Sequence, residues 1–157
     1  ETPNNNLTAV ALTDAAIDGD ADADNTLASG NCHVKGAWVA GTAGNIVLPS
    51  AKRDEVVVYE QSADVAGGVK LTVNCATGDS FKSGLVLNLG SGATVKTATC
   101  GANKTKLEIT VHGTNNNWGG TGSQLCFYAA DDNTWCVRGG NAVITGNGAA
   151  ITTLAFA

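Results

Sequence analysis

The chain has 157 residues, a net charge of −5 and only 15% charged side chains, so one domain is expected, kept in solution by Thr, Asn, Ser and Gly. Hydrophobic residues make up 43%, yet no apolar run nears the roughly 20 residues needed to cross a bilayer, which argues against a membrane partner. The nine Lys and Arg are scattered, with Lys52-Arg53 the only adjacent pair; without a basic stripe to neutralise phosphates, nucleic acid is not an expected partner.

The first residues, ETPNNNLTAV, show neither the basic nor the apolar region of a signal peptide. Met is absent, and because Met before Glu is not normally trimmed, the natural chain is expected to begin upstream of Glu1. Residues 7–17 are rich in Ala and Leu but carry Thr8, Val10 and Thr13, and they read as an extended arm or a first strand. Residues 1–13 have too little to bury by themselves, so the arm is expected to order only against a partner, through Leu7, Val10 and Leu12. Residues 18–25, DGDADADN, read as a solvated acidic loop. Asp18, Asp20, Asp22 and Asp24 alternate as in the first half of a calcium loop. Ala23 stands where the turn needs Gly, however, and Ser29 where the bidentate Glu belongs, so no metal is expected.

From about residue 45 the pattern has period two, the mark of half-buried strands. Val69, Leu71, Val73 and Cys75 alternate with Lys70, Thr72 and Asn74; Leu85, Leu87 and Leu89 repeat the pattern, as do Leu107, Ile109 and Val111. Turn residues separate these runs at Gly67-Gly68, Gly78-Asp79, Gly90-Ser91-Gly92, Gly101-Ala102-Asn103, residues 115–120 and Gly139-Gly140. Residues 123–138 form the clearest hairpin. A turn centred on Asp131 would set Phe127 opposite Trp135 and Cys126 opposite Cys136. No repeat of fixed period is visible. The expected fold is all-β: a single-domain β-sandwich or jelly roll over residues 30–157, preceded by an N-terminal arm and acidic loop over residues 1–29.

Candidate chemistry is sparse. The five cysteines, Cys32, Cys75, Cys100, Cys126 and Cys136, are odd in number and contain no CxxC, which favours reduced thiols over a disulfide framework or a zinc site. His33 and His112 lie in no nucleophile or metal motif. Cys32 and His33, as strand neighbours, point to opposite faces and cannot form a dyad. Asp54-Glu55 and Asp131-Asp132 read as solvated charge at strand ends. Gly119, Gly120 and Gly122 are followed by neither a helix nor a phosphate-reaching Lys. Of Trp38, Trp118 and Trp135, Trp118 within NNNWGGTG is the one expected on a loop, with anchoring in the core or at an interface favoured over a sugar-stacking role and a partner contact expected of it. No catalytic residue and no cofactor is expected. The sequons at Asn6 and Asn103 are explained by a composition rich in Asn and Thr.

Four segments in order carry a resemblance: NIVLPSA (residues 45–51), EVVVYEQSA (55–63), VKLTVNCATGDSF (69–81) and LCFYAADDNTWCVRGG (125–140). This series of strand ends and turns resembles small β-rich virion proteins of tailed bacteriophages, marine and cyanobacterial phages among them. The resemblance implies a capsid decoration (cement) protein on the outer surface of the head, made in the host cytoplasm, homotrimeric, with the major capsid protein as partner. Similar strings occur in tail-fibre or receptor-binding modules, which is the alternative within a particle. A carbohydrate-binding module or adhesin is the alternative from another class, with Trp118 or Trp38 as its exposed ring.

Overall fold

The computed structural model describes residues 7–17, 25–28, 30–38, 43–65, 70–92, 95–112 and 115–157. Among them are twelve strands and no α-helix: β1 (Thr8–Leu12), β2 (Cys32–Gly36), β3 (Gly44–Val47), β4 (Val56–Gln61), β5 (Lys70–Asn74), β6 (Ser80–Phe81), β7 (Val86–Leu89), β8 (Lys96–Thr99), β9 (Lys106–Thr110), β10 (Gln124–Asp131), β11 (Thr134–Gly139) and β12 (Thr153–Phe156). One sheet runs β1-β2-β4-β10-β11-β6 and a second runs β12-β9-β5-β3, while β7 and β8 make a separate ribbon.

The N-terminal half visits the two large sheets in turn, β2 and β4 in the first, β3 and β5 in the second. Successive visits to one sheet run the same way, which gives the parallel pairs β1-β2, β2-β4 and β3-β5. Parallel neighbours need a long return path, and between β2 and β4, and between β3 and β5, a pass through the other sheet supplies it. From β9 onward the large-sheet neighbours are mostly antiparallel: β9 on β5, β10 on β4, β11 on β10 and β12 on β9. A jelly roll is built from antiparallel Greek keys, so the parallel half departs from that expectation.

Period two is the burial rule of most of these strands, while β5 and β11 each bury three residues in a row. Leu71 and Val73, Leu87 and Leu89, and Leu107, Ile109 and Val111 are all buried, as the alternation requires. Both sheets feed one continuous apolar core. Phe81 of β6 ties them together, its ring 6.4 Å from Phe127 in the same sheet and 5.2 Å, edge-on, from Phe156 in the other.

Two expectations need correction. Thr8–Leu12 is not an unpaired arm: β1 is an edge strand whose Thr8 N–H donates to the Asn31 carbonyl while Leu12 accepts from Ala37. The partner that orders it is β2 of the same chain, and Leu12 is buried against the core. In the late hairpin the turn is Asp132-Asn133, with Asn133 at φ 64°, a left-handed conformation Asn tolerates. A bulge between Ala129 and Asp131 then shifts the ladder, so that Ala129 faces Trp135, Phe127 faces Val137, Tyr128 faces Cys136 and Cys126 faces Arg138. Phe127 and Trp135 are both fully buried, but as diagonal neighbours, and the two cysteines are likewise diagonal. Residues 1–6 and the four aspartates of the acidic loop lie outside the described residues.

Candidate functional site

Trp118 sits on a loop as expected, but that loop is interior. Its ring is 0% exposed, and its indole N–H donates to the Gln124 carbonyl at 3.2 Å. Asn116, Asn117 and Ser123 around it are buried as well. A buried loop must find partners for its polar groups, and several of them here come from the loop's own side chains. Ser123 Oγ accepts from the Gly119 and Val143 amides, both at 2.9 Å, and Asn116 exchanges backbone bonds with Thr145. Gln61 closes the arrangement from β4. Its side-chain amide donates to the carbonyls of Trp38 and Ala63, and its Oε1 accepts from the Tyr59 hydroxyl. Burial pushes the pKa of that hydroxyl far up. Trp38 and Trp135 are equally buried, the latter donating to the Pro49 carbonyl. The expected partner contact at Trp118 is therefore corrected: a ring with no accessible face can stack on nothing outside the protein, so no tryptophan offers a sugar platform.

The cysteines are free, with Cys32, Cys100 and Cys136 buried and Cys75 and Cys126 half-buried. Burial pushes the Cys75 thiol up to about 12, with Asp79 and Cys100 adding to it. Burial likewise raises Cys32 and Cys100. These three thiols stay protonated at neutral pH, where a thiol is a poor nucleophile and a poor metal ligand. No group of three or more His, Cys, Asp or Glu placed to hold a metal occurs among the described residues.

Charge gathers on the outer face of the first sheet. Glu60 accepts from the Gln124 amide at 2.9 Å and lies 3.3 Å from His33 and 3.5 Å from Lys35. The Gln124 bond, followed by the two cations, holds its carboxyl below the usual range despite partial desolvation. Arg53 pairs with Asp131, and its backbone N–H donates to Asp132. Asp64 accepts from both the amide and the hydroxyl of Thr121. Each of these carboxylates is matched to a structural donor or cation, an arrangement that stabilises loops and strands and brings no nucleophile toward a base. His112 is exposed at the end of β9.

What remains is an edge. Leu7 and Val10 are half-buried and Leu12 is buried, so the three apolar residues expected to meet a partner already rest largely on this chain. Ala9 and Ala11 between them are exposed. Beside the strand a groove of about 370 Å³ is lined by Val10, Leu12, Leu27 and Cys32. The strand was legible in the alternation of residues 8–12. Its place at the sheet edge was not, because β2 lies two dozen residues further on. The chain is thus an all-β protein of mixed sheets. Comparison with protein families, with curated proteins and with solved structures gave no match.

Proposed function

We propose that this chain is a structural, non-enzymatic virion protein, a two-layer β-sandwich that decorates the outer surface of a tailed-phage head. The observation that carries the reading is the run of strand ends and turns in residues 45–51, 55–63, 69–81 and 125–140, which fall on β3, β4, β5 with β6, and the β10-β11 hairpin. The buried tryptophans and the carboxylates matched to structural donors support it, since both serve interior order and the anchoring of loops. A surface of small polar side chains suits shallow repeated contacts, because little side-chain entropy is lost at each and many act together on a shell. The major capsid protein is the partner. Cryo-electron microscopy of particles that contain this chain tests the proposal. Density for the sandwich repeating over the head supports it. Density on the tail would make the chain a fibre or receptor-binding module, and purified particles without the chain would end the reading.

A further inference from the structure

We infer that the free edge of β1 pairs with the β1 edge of a second copy of this chain, antiparallel across a twofold axis at Val10. A strand edge is a template for another strand unless it is short, charged, bulged, interrupted by Pro or covered. Among the described residues most other edges are managed in one of these ways. In the first sheet, β6 at the far end is two residues long. In the second, β3 is bridged by Thr26, and β12 lies against β8 of the ribbon. Among the described residues nothing covers β1, and it is five residues of TAVAL, without charge, Pro or bulge.

The hydrogen bonds fix which groups are offered. Thr8 donates toward β2 and Leu12 accepts from it, so in a regular strand residues 8, 10 and 12 face β2 while Ala9 and Ala11 turn their amides and carbonyls outward. Those two positions are self-complementary. With the axis at Val10, Ala9 of each copy exchanges both of its backbone bonds with Ala11 of the other, and the two Val10 residues meet as a non-hydrogen-bonded pair. Val10 also lines the apolar groove, so this pairing brings a second apolar side chain to its rim.

Charge permits the approach, and the self-matching Ala9 and Ala11 positions make a second copy the occupant. An uncharged strand can meet itself without opposing like charges. The nearest cation, Lys35, stands one strand further in, with Glu60 3.5 Å from it. A twofold contact of this kind is isologous and closes on itself, giving a dimer and no filament. The inference holds whether or not the chain belongs to a virus particle, and on a shell such a dimer would take twofold and not threefold positions.

The test uses the whole chain in sedimentation equilibrium across a wide concentration range. A reversible dimer is expected; a monomer at every concentration, or a trimer, would overturn the inference. Two double variants then fix the site, Ala9→Lys with Ala11→Lys and Ala9→Glu with Ala11→Glu. Both positions are exposed, so each variant should fold, which circular dichroism checks. In the proposed register each variant opposes like charges twice and should be monomeric, while mixing the two should restore a heterodimer. A dimer that survives in the lysine variant would place the contact elsewhere and refute the pairing. Val10→Cys gives an independent readout. Non-hydrogen-bonded partners have Cα atoms about 4.5 Å apart, within disulfide reach. Mild oxidation of that variant should therefore join the two copies through the introduced thiols, seen by mass spectrometry as a β1 peptide disulfide-linked to its own twin. Absence of that linked peptide from an oxidised dimer would also refute the register.

Discussion

Trp118→Ala removes the largest side chain of an interior loop, and its cost can be worked from the contacts. The ring is fully buried, and truncating a buried Trp typically costs about 3–5 kcal/mol through lost burial and the cavity left behind. The hydrogen bond adds little, because the Gln124 carbonyl that accepts from the indole also accepts from the Gly140 amide at 3.1 Å and is not orphaned by the change. Volume should therefore dominate. Trp118→Phe, which keeps most of the ring but not the donor, should cost only about 1–2 kcal/mol. For a chain of this size, 3–5 kcal/mol lowers the melting temperature by roughly 6–20 °C. Urea melts followed by circular dichroism give the difference from the midpoint shift at constant slope. A Trp118→Ala protein within about 1 kcal/mol of the parent would show that the ring does not support the fold and would return it to the surface.

Gly119 and Gly78 both have positive φ, at 118° and 91°, but a Cβ on Gly119 would lie 2.5 Å from Val65 Cγ1 while one on Gly78 would meet open space. Gly78→Ala should then cost about 1–2 kcal/mol for the backbone alone, and Gly119→Ala a further 1–3 kcal/mol or so for the overlap; equal losses in denaturant melts would contradict the packing. Deleting residues 1–13 strips β1 from β2 and uncovers the core at Leu12, so the remaining chain should fold with stability lower by about 2 kcal/mol or more, the low end for one buried Leu, and unchanged stability would restore the free-arm reading. Glu60, Asp64 and Asp131 are each held below their ordinary pKa, by the Gln124 bond, the Thr121 donors and Arg53 respectively. Their contribution is complete above the ordinary carboxylate range and is lost as pH falls below it, so melting temperature should drop on acidification from about pH 4. Cys75 is raised from 9.0 to about 12, so its contribution is complete below the unfolded value and lost as pH climbs from 9 toward 12. Cys75→Ser should flatten that alkaline limb of the melting profile, and an identical limb with and without the thiol would contradict its burial.

The parts of this fold that are local were legible in the sequence. Residues 85–89 and 107–111 alternate because each strand buries mainly one side, the apolar one, whereas in β5 the polar Thr72 is buried as well as Leu71 and Val73. The late hairpin was legible too, but its register was not, because the turn falls at Asp132-Asn133 and not on Asp131, and a bulge at Ala129 to Asp131 moves every pair beyond it by one place. Parallel pairing left no local trace: Thr8 meets Cys32, Cys32 meets Val57 and Ile46 meets Val73, at separations too uneven to read as a repeat. Trp118 misled for a different reason. Its neighbours Asn116 and Ser123 are polar, which in a sequence means solvent, yet here their side-chain oxygens accept the backbone amides of His112 and Gly119 inside the fold. Whether a polar side chain serves water or backbone depends on what returns to meet it, here Thr145 and Val143 from some twenty or more residues away.

The order in which β4 gains its neighbours sets a problem for the protein while it is being made. Its sequence, VVVYEQ, is among the most strand-prone in the chain. One side is covered by β2, which precedes it, but the other waits for β10, and Glu60 and Gln124 are 64 positions apart. At a ribosomal rate of about 5–20 residues per second that wait is roughly 3–13 s, during which a valine-rich edge stands open beside identical edges on neighbouring ribosomes. Aggregation in synthesis should therefore respond to the speed of translation, and slowing the arrival of β10 should lower the soluble yield without changing the stability of the molecules that escape.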